Sequence, residues 1–381
     1  MGEVGFDLNE EQALLLEEVR RFGAERIRPG VAERDKAHAF PADLVAELAE
    51  LGLLGMMVDE AYDGPGMDPL TYALVVEELA TFCPALSITM SVTNSVCCWP
   101  IQKYGSEALK QRILPELAAG GAIGGFGLTE PGSGSDAGAM KTVARRDGDL
   151  YVIDGEKAWI TNGGVGKYFV VLARTDPDAG AKGISAIVVP SDAPGFKVGN
   201  AEEKLGLRAS NTVTLYFDGC RVPVSNLLAE EGHGFRIAMG TLDHSRVGVA
   251  AQCLGIHRRA LELAVEYAKE RVQFGVPIAK HQAIQFKIAE MATELEAARA
   301  LTYHAATQDG QPHGGRLASQ AKLYASEAAN RACWQALQIH GGNGFCEDYE
   351  IARLYRDVRV TTIYEGTSEM QRMVIARHLR R

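Results

Sequence analysis

Apolar residues in the first third of the chain recur at helical spacing. Leu15, Val19 and Phe22 are separated by four and three residues, with charged side chains between them, and the same spacing continues over residues 44–51. This periodicity predicts amphipathic helices across residues 8–119. Six prolines are predicted to punctuate these helices: Pro29, Pro41, Pro69, Pro84, Pro100 and Pro115.

One stretch of this region is apolar on every side. Residues 87–101, SITMSVTNSVCCWPI, carry small polar side chains but no charge. The pattern predicts an interior helix. Two interpretations stay open, because the helix could serve core packing alone or could also line a ligand cavity.

The periodicity changes from about Ile123 onward. Short β-rich runs alternate with turns rich in Gly, Asp and Pro, which predicts a small β-barrel or sandwich. The predicted strands are 122–128, 150–157, 168–174, 183–189 and 213–217.

Helical spacing returns after Gly234. Long segments at 235–271, 278–308 and 314–341, then shorter ones at 348–358 and 366–380, are joined by short connections, as in an antiparallel bundle. The predicted fold is mainly α with a middle β-domain. Its three parts are an N-terminal helical domain (1–121), a β-domain (122–231) and a C-terminal helical bundle (232–381).

Composition and charge exclude several classes of protein. The formal net charge is −10, with 46% hydrophobic and 23% charged residues, which argues against nucleic acid or an anionic membrane as partner. No apolar run approaches the ~18 residues of a membrane span, and the acidic start MGEVGFDLNEEQ has no apolar leader. We expect a cytosolic protein, or one already processed.

Cysteines and histidines show no metal-binding spacing. The seven cysteines form no CxxC pair, which predicts reduced thiols in a reducing compartment, and the histidines form no HExxH motif. No GxSxG sequence indicates a hydrolase. The sequence therefore predicts no metal site.

Two glycine-rich stretches suggest nucleotide binding but depart from the known motifs. Residues 124–127 lack the third glycine of GxGxxG, and residues 163–167 lack the opening glycine and closing hydroxyl of a P-loop. By contrast, FGLTEPGSGSD (126–136) predicts a strand that breaks at Pro131 into a loop of Gly and Ser. Such a loop can present N–H groups and hydroxyls to a ring edge or a phosphate, or can be a plain turn.

A single carboxylate near the C-terminus is a candidate general base. Glu365 lies between Tyr364 and Gly366, and Thr367 or Ser368 can cap the helix that follows. Burial and the helix dipole can tune the pKa of such a carboxyl group. The alternative is a solvated glutamate in the first turn of a helix.

Four segments together resemble the acyl-CoA dehydrogenase family over residues 7–380: FGLTEPGSGSD, AWITNG (158–163), QIHGGNGF (338–345) and IYEGTSE (363–369). The closest similarity is to the short-chain, butyryl-type branch. The resemblance implies an FAD-dependent enzyme that converts short- or medium-chain acyl-CoA to trans-2-enoyl-CoA. Glu365 would take the α proton, and the β carbon would pass hydride to flavin N5.

The resemblance also assigns binding residues. It implies that Trp159 lies against the flavin, that Thr161 bonds near N5, and that segments 270–282 and 338–345 complete the FAD site of a neighbouring subunit. The implied FAD contacts are Phe126, Leu128, Thr129, Gly134, Ser135, Trp159, Ile160, Thr161, Arg271, Gln273, Phe274, His281, Gln282, Gln338, Gly341, Gly342, Thr367 and Glu369. The implied substrate contacts are Ser135, Asp243, Arg246, Tyr364 and Gly366.

Three departures from the family pattern refine these expectations. The isovaleryl and long-chain branches carry their base at the position of Ser245, so here only Glu365 can serve. Ser87 stands where the glutaryl branch has an arginine, which disfavours a dicarboxyl substrate. Trp99 follows Cys97 and Cys98 on the helix expected to line the acyl cavity, where its bulk affects pocket length.

The expected partners and location also follow from the resemblance. Fatty acid β-oxidation by the family implies an electron-transfer flavoprotein as acceptor and a homotetramer built as a dimer of dimers. The location would be the bacterial cytoplasm, or the mitochondrial matrix for a processed chain.

Two rival functions are considered. A protein of the same fold could reoxidise its flavin with O₂ as an oxidase or monooxygenase. The Glu365 segment argues against most such monooxygenases, and a chain ending at Arg381 lacks the extra domain of acyl-CoA oxidases. A non-catalytic acyl-CoA-binding homologue is disfavoured by the intact base and flavin motifs.

Overall fold

The computed structural model describes residues 8–380. Residues 1–7, which include most of the acidic start discussed above, and Arg381 lie outside the described residues. Helices occupy the first and last parts of the chain, as predicted. The α-helices are α1 (Glu10–Phe22), α2 (Val31–Ala37), α3 (Ala42–Glu50), α4 (Pro69–Phe82), α5 (Pro84–Val92), α6 (Trp99–Tyr104), α7 (Glu107–Ala118), α8 (Gly234–Glu270), α9 (Gln282–Thr307), α10 (Gly314–His340), α11 (Glu350–Val358) and α12 (Ser368–Leu379).

Strands fill the middle of the chain. They are β1 (Gly124–Gly127), β2 (Val143–Asp147), β3 (Leu150–Thr161), β4 (Tyr168–Arg174), β5 (Ile184–Pro190), β6 (Phe196–Ala201), β7 (Thr212–Pro223), β8 (Leu227–Leu228), β9 (Val272–Gln273) and β10 (Val276–Pro277). The large sheet has the order β6-β7-β3-β2-β4-β5-β8, with β1 parallel to β4, while β9 and β10 form a separate hairpin. The prediction of a mainly helical fold with a middle β-domain is confirmed.

Local sequence explains several of these boundaries. Asn9 and Gln12 form a reciprocal capping box at the start of α1. The uncharged stretch 87–101 is interior, as predicted, and passes through a π-helical segment at Thr93–Cys98. Pro115 does not break α7, contrary to the prediction. Because only three residues follow it in α7, the missing N–H bond falls near the end of the helix.

Three strands of the sheet were not predicted: β2, β6 and the two-residue β8. β2 contains Arg145, Arg146 and Asp147, and β6 is mostly exposed, so neither has an apolar alternation. β7 (Thr212–Pro223) begins one residue before the predicted run 213–217 and continues six residues beyond it. Charged and exposed positions therefore hid β2 and β6 from a pattern based on burial.

The core places helices against one side of the sheet. Tyr168, Val170 and Leu172 of β4 pack with α7 and the start of α8, whereas Phe169 and Val171 pack with β3 and β7. β4 is thus buried on both faces. In the other large core cluster, α8 packs with α4, α9 and α10.

The two changes of structural type occur in short connections. α7 ends at Ala118 and β1 begins at Gly124; β8 ends at Leu228 and α8 begins at Gly234. The predicted domain borders at 121/122 and 231/232 fall inside these connections. Across residues 8–380, no helix combines the length and apolarity needed to cross a membrane.

Candidate active site

Glu365 lies in the connection between α11 and α12, where the backbone turns into the left-handed region. Glu365 has φ +51° and Gly366 has φ +94°. The left-handed conformation costs a non-glycine residue roughly 1–2 kcal/mol, so the surrounding structure must stabilise it. Thr367, whose hydroxyl accepts the Met370 N–H at 3.3 Å, caps α12 directly after this turn.

Side chains from three helices fix the carbonyl groups of this turn. Gln371 of α12 donates to the carbonyls of both Glu365 (3.2 Å) and Gly366 (2.8 Å). Lys322 of α10 donates to the Gly366 carbonyl at 2.8 Å. Arg246 of α8 approaches the Glu365 carbonyl at 3.5 Å. Side chains from α8, α10 and α12 therefore hold the strained backbone of this turn.

The Glu365 carboxylate is in a different situation from its backbone. Oε2 accepts a hydrogen bond of 2.5 Å from the buried Ser245 hydroxyl. Burial raises the pKa of the Glu365 carboxyl above its ordinary value, while the Ser245 bond and the charges of Lys322 and Arg246 act in the opposite direction. A carboxylate with a raised pKa has the proton affinity that a general base needs.

The nearby cations are engaged elsewhere. Arg246, which is buried, donates to Asp243 at 2.5 Å and to Ser319 at 3.2 Å. Lys322 is fully buried, and desolvation lowers its pKa to about 8. Neither cation forms an ion pair with the Glu365 carboxylate. Four of the five predicted substrate residues, Asp243, Arg246, Tyr364 and Gly366, are thus gathered around the base, whereas Ser135 lies on the exposed loop after β1.

Four residues of this site were not predicted from the sequence: Ser245, Ser319, Lys322 and Gln371. Lys322 left a detectable signal, because it lies between Ala318, Ala321 and Ala325 on the buried face of α10. Lysine is almost never fully buried on a helix face unless it is paired, so its position indicates a partner. The other three carry no comparable signal.

Hydroxyl groups line the interior beside the base. The Tyr364 hydroxyl donates to Gln252, and the Tyr72 hydroxyl lies 2.6 Å from that of Ser91. Gly248 allows this approach, because a Cβ there would lie 2.2 Å from the Tyr72 oxygen. Burial raises the pKa of Tyr72, and the negative charge of Glu365 adds to this shift. These groups therefore form one wall next to Glu365.

Aromatic rings form a second wall. Trp99 stacks on His244, with ring centroids 4.7 Å apart and an interplanar angle of 13°. His244 precedes Ser245 on α8, and its Nδ1 pairs with Asp309 at 2.8 Å. Its Nε2 is buried without a hydrogen-bond partner in residues 8–380. Trp99 is thereby fixed against the turn of α8 that contacts the base.

The FGLTEPGSGSD segment is held by a buried ion pair. Lys157, fully buried, donates to Glu130 at 2.8 Å and to the Leu128 carbonyl at 3.0 Å. Glu130 also accepts the backbone N–H of Thr142 at 2.9 Å. These bonds anchor the base of the loop and leave Gly134 and Ser135 exposed at its tip.

Trp159 projects from a bulge in β3. The pairing of β3 with β7 shifts between Lys157 and Ile160, and Trp159, at φ +62°, leaves 61% of its surface exposed. The Ala158 N–H bonds to the Thr129 carbonyl at 2.9 Å, which places Trp159 beside the first segment. The structure therefore brings these predicted FAD contacts together: Phe126, Leu128, Thr129, Trp159, Ile160 and Thr161.

The remaining predicted FAD contacts gather at another place. The β9–β10 hairpin follows α8, and the end of α10 packs beside it through Tyr267, which stacks on His340 at 4.3 Å and accepts a bond from Asn343. Within residues 8–380, no hydrogen bond, ion pair or ring contact joins this group to the Trp159 group. Its members are Arg271, Gln273, Phe274, His281, Gln282, Gln338, Gly341 and Gly342. Thr367 and Glu369 belong to neither group and lie at the start of α12.

Both groups have surfaces suited to a flavin dinucleotide. Around Gly132, Gly134, Gly341 and Gly342, no atom lies within 4 Å of the place a Cβ would take. The hydroxyls of Ser135 and Thr161 make no hydrogen bond to any described residue. An exposed indole, open backbone and free hydroxyls fit the ring and phosphates of FAD. The described residues contain no cluster of three His, Cys, Asp or Glu side chains able to hold a metal ion.

Comparison with known proteins identifies the family. Residues 9–121, 125–220 and 232–380 match the N-terminal, middle and C-terminal domains of acyl-CoA dehydrogenase. The chain is 48% identical over 376 residues to the mitochondrial short-chain specific acyl-CoA dehydrogenase of Rattus norvegicus, covering 98% of this chain and 91% of that one.

Solved structures agree. Butyryl-CoA dehydrogenase from Megasphaera elsdenii matches with a TM-score of 0.97 and 44% identity, over 99% of this chain and all of that chain (100%). A chain described under the electron transferring flavoprotein of Acidaminococcus fermentans also matches with a TM-score of 0.97 and 44% identity, over 99% of both chains. The chain therefore belongs to the acyl-CoA dehydrogenase family, whose members are FAD-dependent oxidoreductases acting on CH–CH donors, as its motifs predicted.

Proposed function

We propose that this protein oxidises the α,β bond of short-chain acyl-CoA thioesters, with Glu365 as the base and an electron-transfer flavoprotein as the acceptor. The observation that carries the proposal is the Glu365 carboxylate. It is held by one neutral donor, its pKa is raised by burial, and no cation pairs with it. The similarity to short-chain and butyryl-CoA dehydrogenases supports the substrate class.

The α proton of a thioester is weakly acidic, so its removal requires a base of raised proton affinity close to a polarised carbonyl. Glu365 supplies the base. Its backbone N–H donates to no acceptor in residues 8–380 and is available to the thioester oxygen. The left-handed turn at Glu365 and Gly366 thus presents a proton acceptor from the side chain and a hydrogen-bond donor from the backbone of one residue.

FAD, when bound, would supply the acceptor for the hydride that leaves the β carbon. We assign the flavin ring to the group around Trp159 and Thr161, with Ser135 reaching both the pyrophosphate and the substrate. Arg271 is exposed and makes no ion pair to a described residue. It suits the pyrophosphate of the FAD bound to a second copy of the chain. Gln273, Phe274, His281, Gln282, Gln338, Gly341 and Gly342 complete that second half, and Thr367 and Glu369 are assigned to FAD as well.

The walls beside Glu365 favour a short acyl chain. Trp99 is fixed by its stack on His244, and Tyr72 and Ser91 pack against Gly248, one turn further along α8. Rigid bulk near the base limits the length of chain that can extend beyond the β carbon. Ser87 is fully buried and donates to the Val76 carbonyl at 3.1 Å. Its side chain has no positive charge to bind the second carboxylate of a dicarboxyl substrate.

We further propose a homotetramer arranged as a dimer of dimers, in which copies share FAD. Phe274 and Phe345 are 95% and 86% exposed beside Arg271, and such apolar exposure is costly unless another surface covers it. Arg271→Ala should weaken FAD retention and assembly together, because binding at a shared site is coupled to association. Sedimentation of a full tetramer that keeps its yellow colour would contradict the shared site.

The division 1–121, 122–231 and 232–381, and a location in the bacterial cytoplasm or, for a processed chain, the mitochondrial matrix, complete the proposal. The electron acceptor is supported by the similarity to the chain described with the Acidaminococcus fermentans flavoprotein.

Stopped-flow absorbance tests this function. Anaerobic mixing with butyryl-CoA should bleach the flavin, and a flavoprotein or dye acceptor should restore the colour far faster than air does. Hydrogen peroxide is quantified in parallel. Peroxide formed in equal amount and at the same rate as acyl-CoA is consumed would show an oxidase instead.

A further inference from the structure

Ser245 is the one side chain in residues 8–380 that donates to the Glu365 carboxylate. Its hydroxyl has two acceptors within reach, the Glu365 Oε2 at 2.5 Å and the Leu242 carbonyl, one turn back on α8, at 3.3 Å. A hydroxyl has a single proton to donate. The shorter, charge-assisted bond to the carboxylate is the stronger of the two. The hydroxyl therefore serves Glu365 rather than its own helix.

The surrounding charges do not duplicate this bond. Lys322 on α10 donates to the Gly366 carbonyl, and Arg246 on α8 donates to Asp243 and Ser319. The other titratable groups that face the base are His244 on α8, Tyr72 on α4 and Tyr364 beside it. None of them donates a hydrogen bond to the carboxylate.

The turn needs such an anchor because its backbone and side chain are fixed separately. Gln371, Lys322 and Arg246 hold the carbonyls of Glu365 and Gly366, which sets the left-handed backbone. These contacts leave the side-chain torsions of Glu365 free. A hydrogen bond to one carboxylate oxygen restricts them and leaves the other oxygen available to a proton.

We propose that Ser245 is a positioning residue for the base: its hydroxyl orients the Glu365 carboxylate toward the substrate and favours the ionised form. The inference rests on the proposed role of Glu365. A neutral donor suits this task, because a cation in the same place would stabilise the carboxylate enough to weaken it as a base.

The chain offers a matched control on the neighbouring helix. Ser326 of α10 is also fully buried and donates to a carbonyl one turn back, that of Leu323, at 3.2 Å. It has no carboxylate partner. Ser245→Ala and Ser326→Ala therefore remove the same atom from similar helical surroundings, and only the first removes a bond to Glu365.

Two measurements on the FAD-loaded protein test the inference. The first is the rate of anaerobic flavin bleaching by butyryl-CoA as a function of pH. The second is exchange of the α protons of acetyl-CoA with deuterated solvent, followed by NMR. Acetyl-CoA has α protons but no β carbon, so exchange reports proton abstraction without oxidation.

Ser245→Ala should slow both processes about tenfold at neutral pH, the order expected for loss of one hydrogen bond to a charged group. It should also move the acidic limb of both pH profiles to higher pH, because the ionised form of Glu365 loses a donor. Ser245→Thr, which keeps a hydroxyl, should restore most of the rate. Ser326→Ala should match the wild type.

Profiles of Ser245→Ala that superimpose on those of an active wild type would overturn the role of Ser245 alone. Equal slowing in Ser245→Ala and Ser326→Ala, without a pH shift, would also overturn it by showing a packing effect. A wild type that neither bleaches nor exchanges would overturn the proposed function, and this inference with it.

Discussion

Two glutamates in this protein, the buried Glu77 and the half-buried Glu365, face opposite requirements. Glu77 on α4 is 2% exposed and meets a donor at each oxygen: Arg299 at 2.8 Å and Tyr303 at 2.7 Å, with Arg258 at 3.7 Å. Glu365 receives one neutral hydroxyl, while the cations near it bind backbone carbonyls.

The difference separates a structural carboxylate from a reactive one. Charged donors compensate the burial of Glu77, which joins α4 to α8 and α9. The same donors on Glu365 would lower its proton affinity and remove its use as a base. Lys322 and Arg246 instead bind the backbone carbonyls of Gly366 and Glu365. There they hold the turn in its conformation without neutralising the carboxylate.

The largest expected effect concerns catalysis. Glu365→Gln cannot accept a proton, so the rate of flavin bleaching by butyryl-CoA should fall by a factor on the order of 10²–10⁴. The amide keeps the shape of the side chain, so FAD and the fold should be retained. Stopped-flow absorbance gives the rate, and retention of more than a tenth of it would place the base elsewhere.

The next effect concerns stability. Glu77→Gln removes the carboxylate charge from buried Arg299 and Arg258, which should lower the free energy of unfolding by about 3–5 kcal/mol. Thermal or urea unfolding measures the loss, while bleaching by the folded protein should stay near the wild-type rate. Asp218→Asn, at the exposed pair with Lys197, is the control and should change stability little.

The smallest effect is a gain in stability, which few mutations give. Because burial raises the pKa of Glu365, its contribution to stability is complete at low pH and is lost as pH rises through that pKa. Glu365→Gln carries no such cost, so above that pKa it should be more stable than the wild type. Thermal unfolding between pH 5 and pH 8 should show the gap widening; a constant gap would argue against a raised pKa.

What the sequence could predict depended on how local the signal was. Glu365 lies in one short motif, IYEGTSE, together with the glycine and cap that shape its turn. Ser245, Lys322 and Gln371 reach it from three separate helices, so no linear pattern contains them. The charged strands β2 and β6 were missed for a related reason, because backbone pairing rather than apolar alternation defines them.

The Trp159 group shows the same limit. Its members belong to two sequence motifs, but their alignment depends on the β3 bulge and on the buried Lys157–Glu130 pair. A lysine in a strand gives no sign that it anchors a loop 27 residues earlier in the chain. Motifs therefore predicted which residues would meet, and the structure supplies the contacts that position them.

Glu365 is a half-buried carboxylate that no cation pairs with, so that it can take a proton. The most direct test of this role is the pH dependence of anaerobic flavin bleaching by butyryl-CoA in the wild type. We predict a rate that rises with pH through one ionisation whose pKa lies above the ordinary glutamate value of 4.5, and the loss of this ionisation in Glu365→Gln. A rate that is flat across that range, or an unchanged ionisation in the variant, would contradict it.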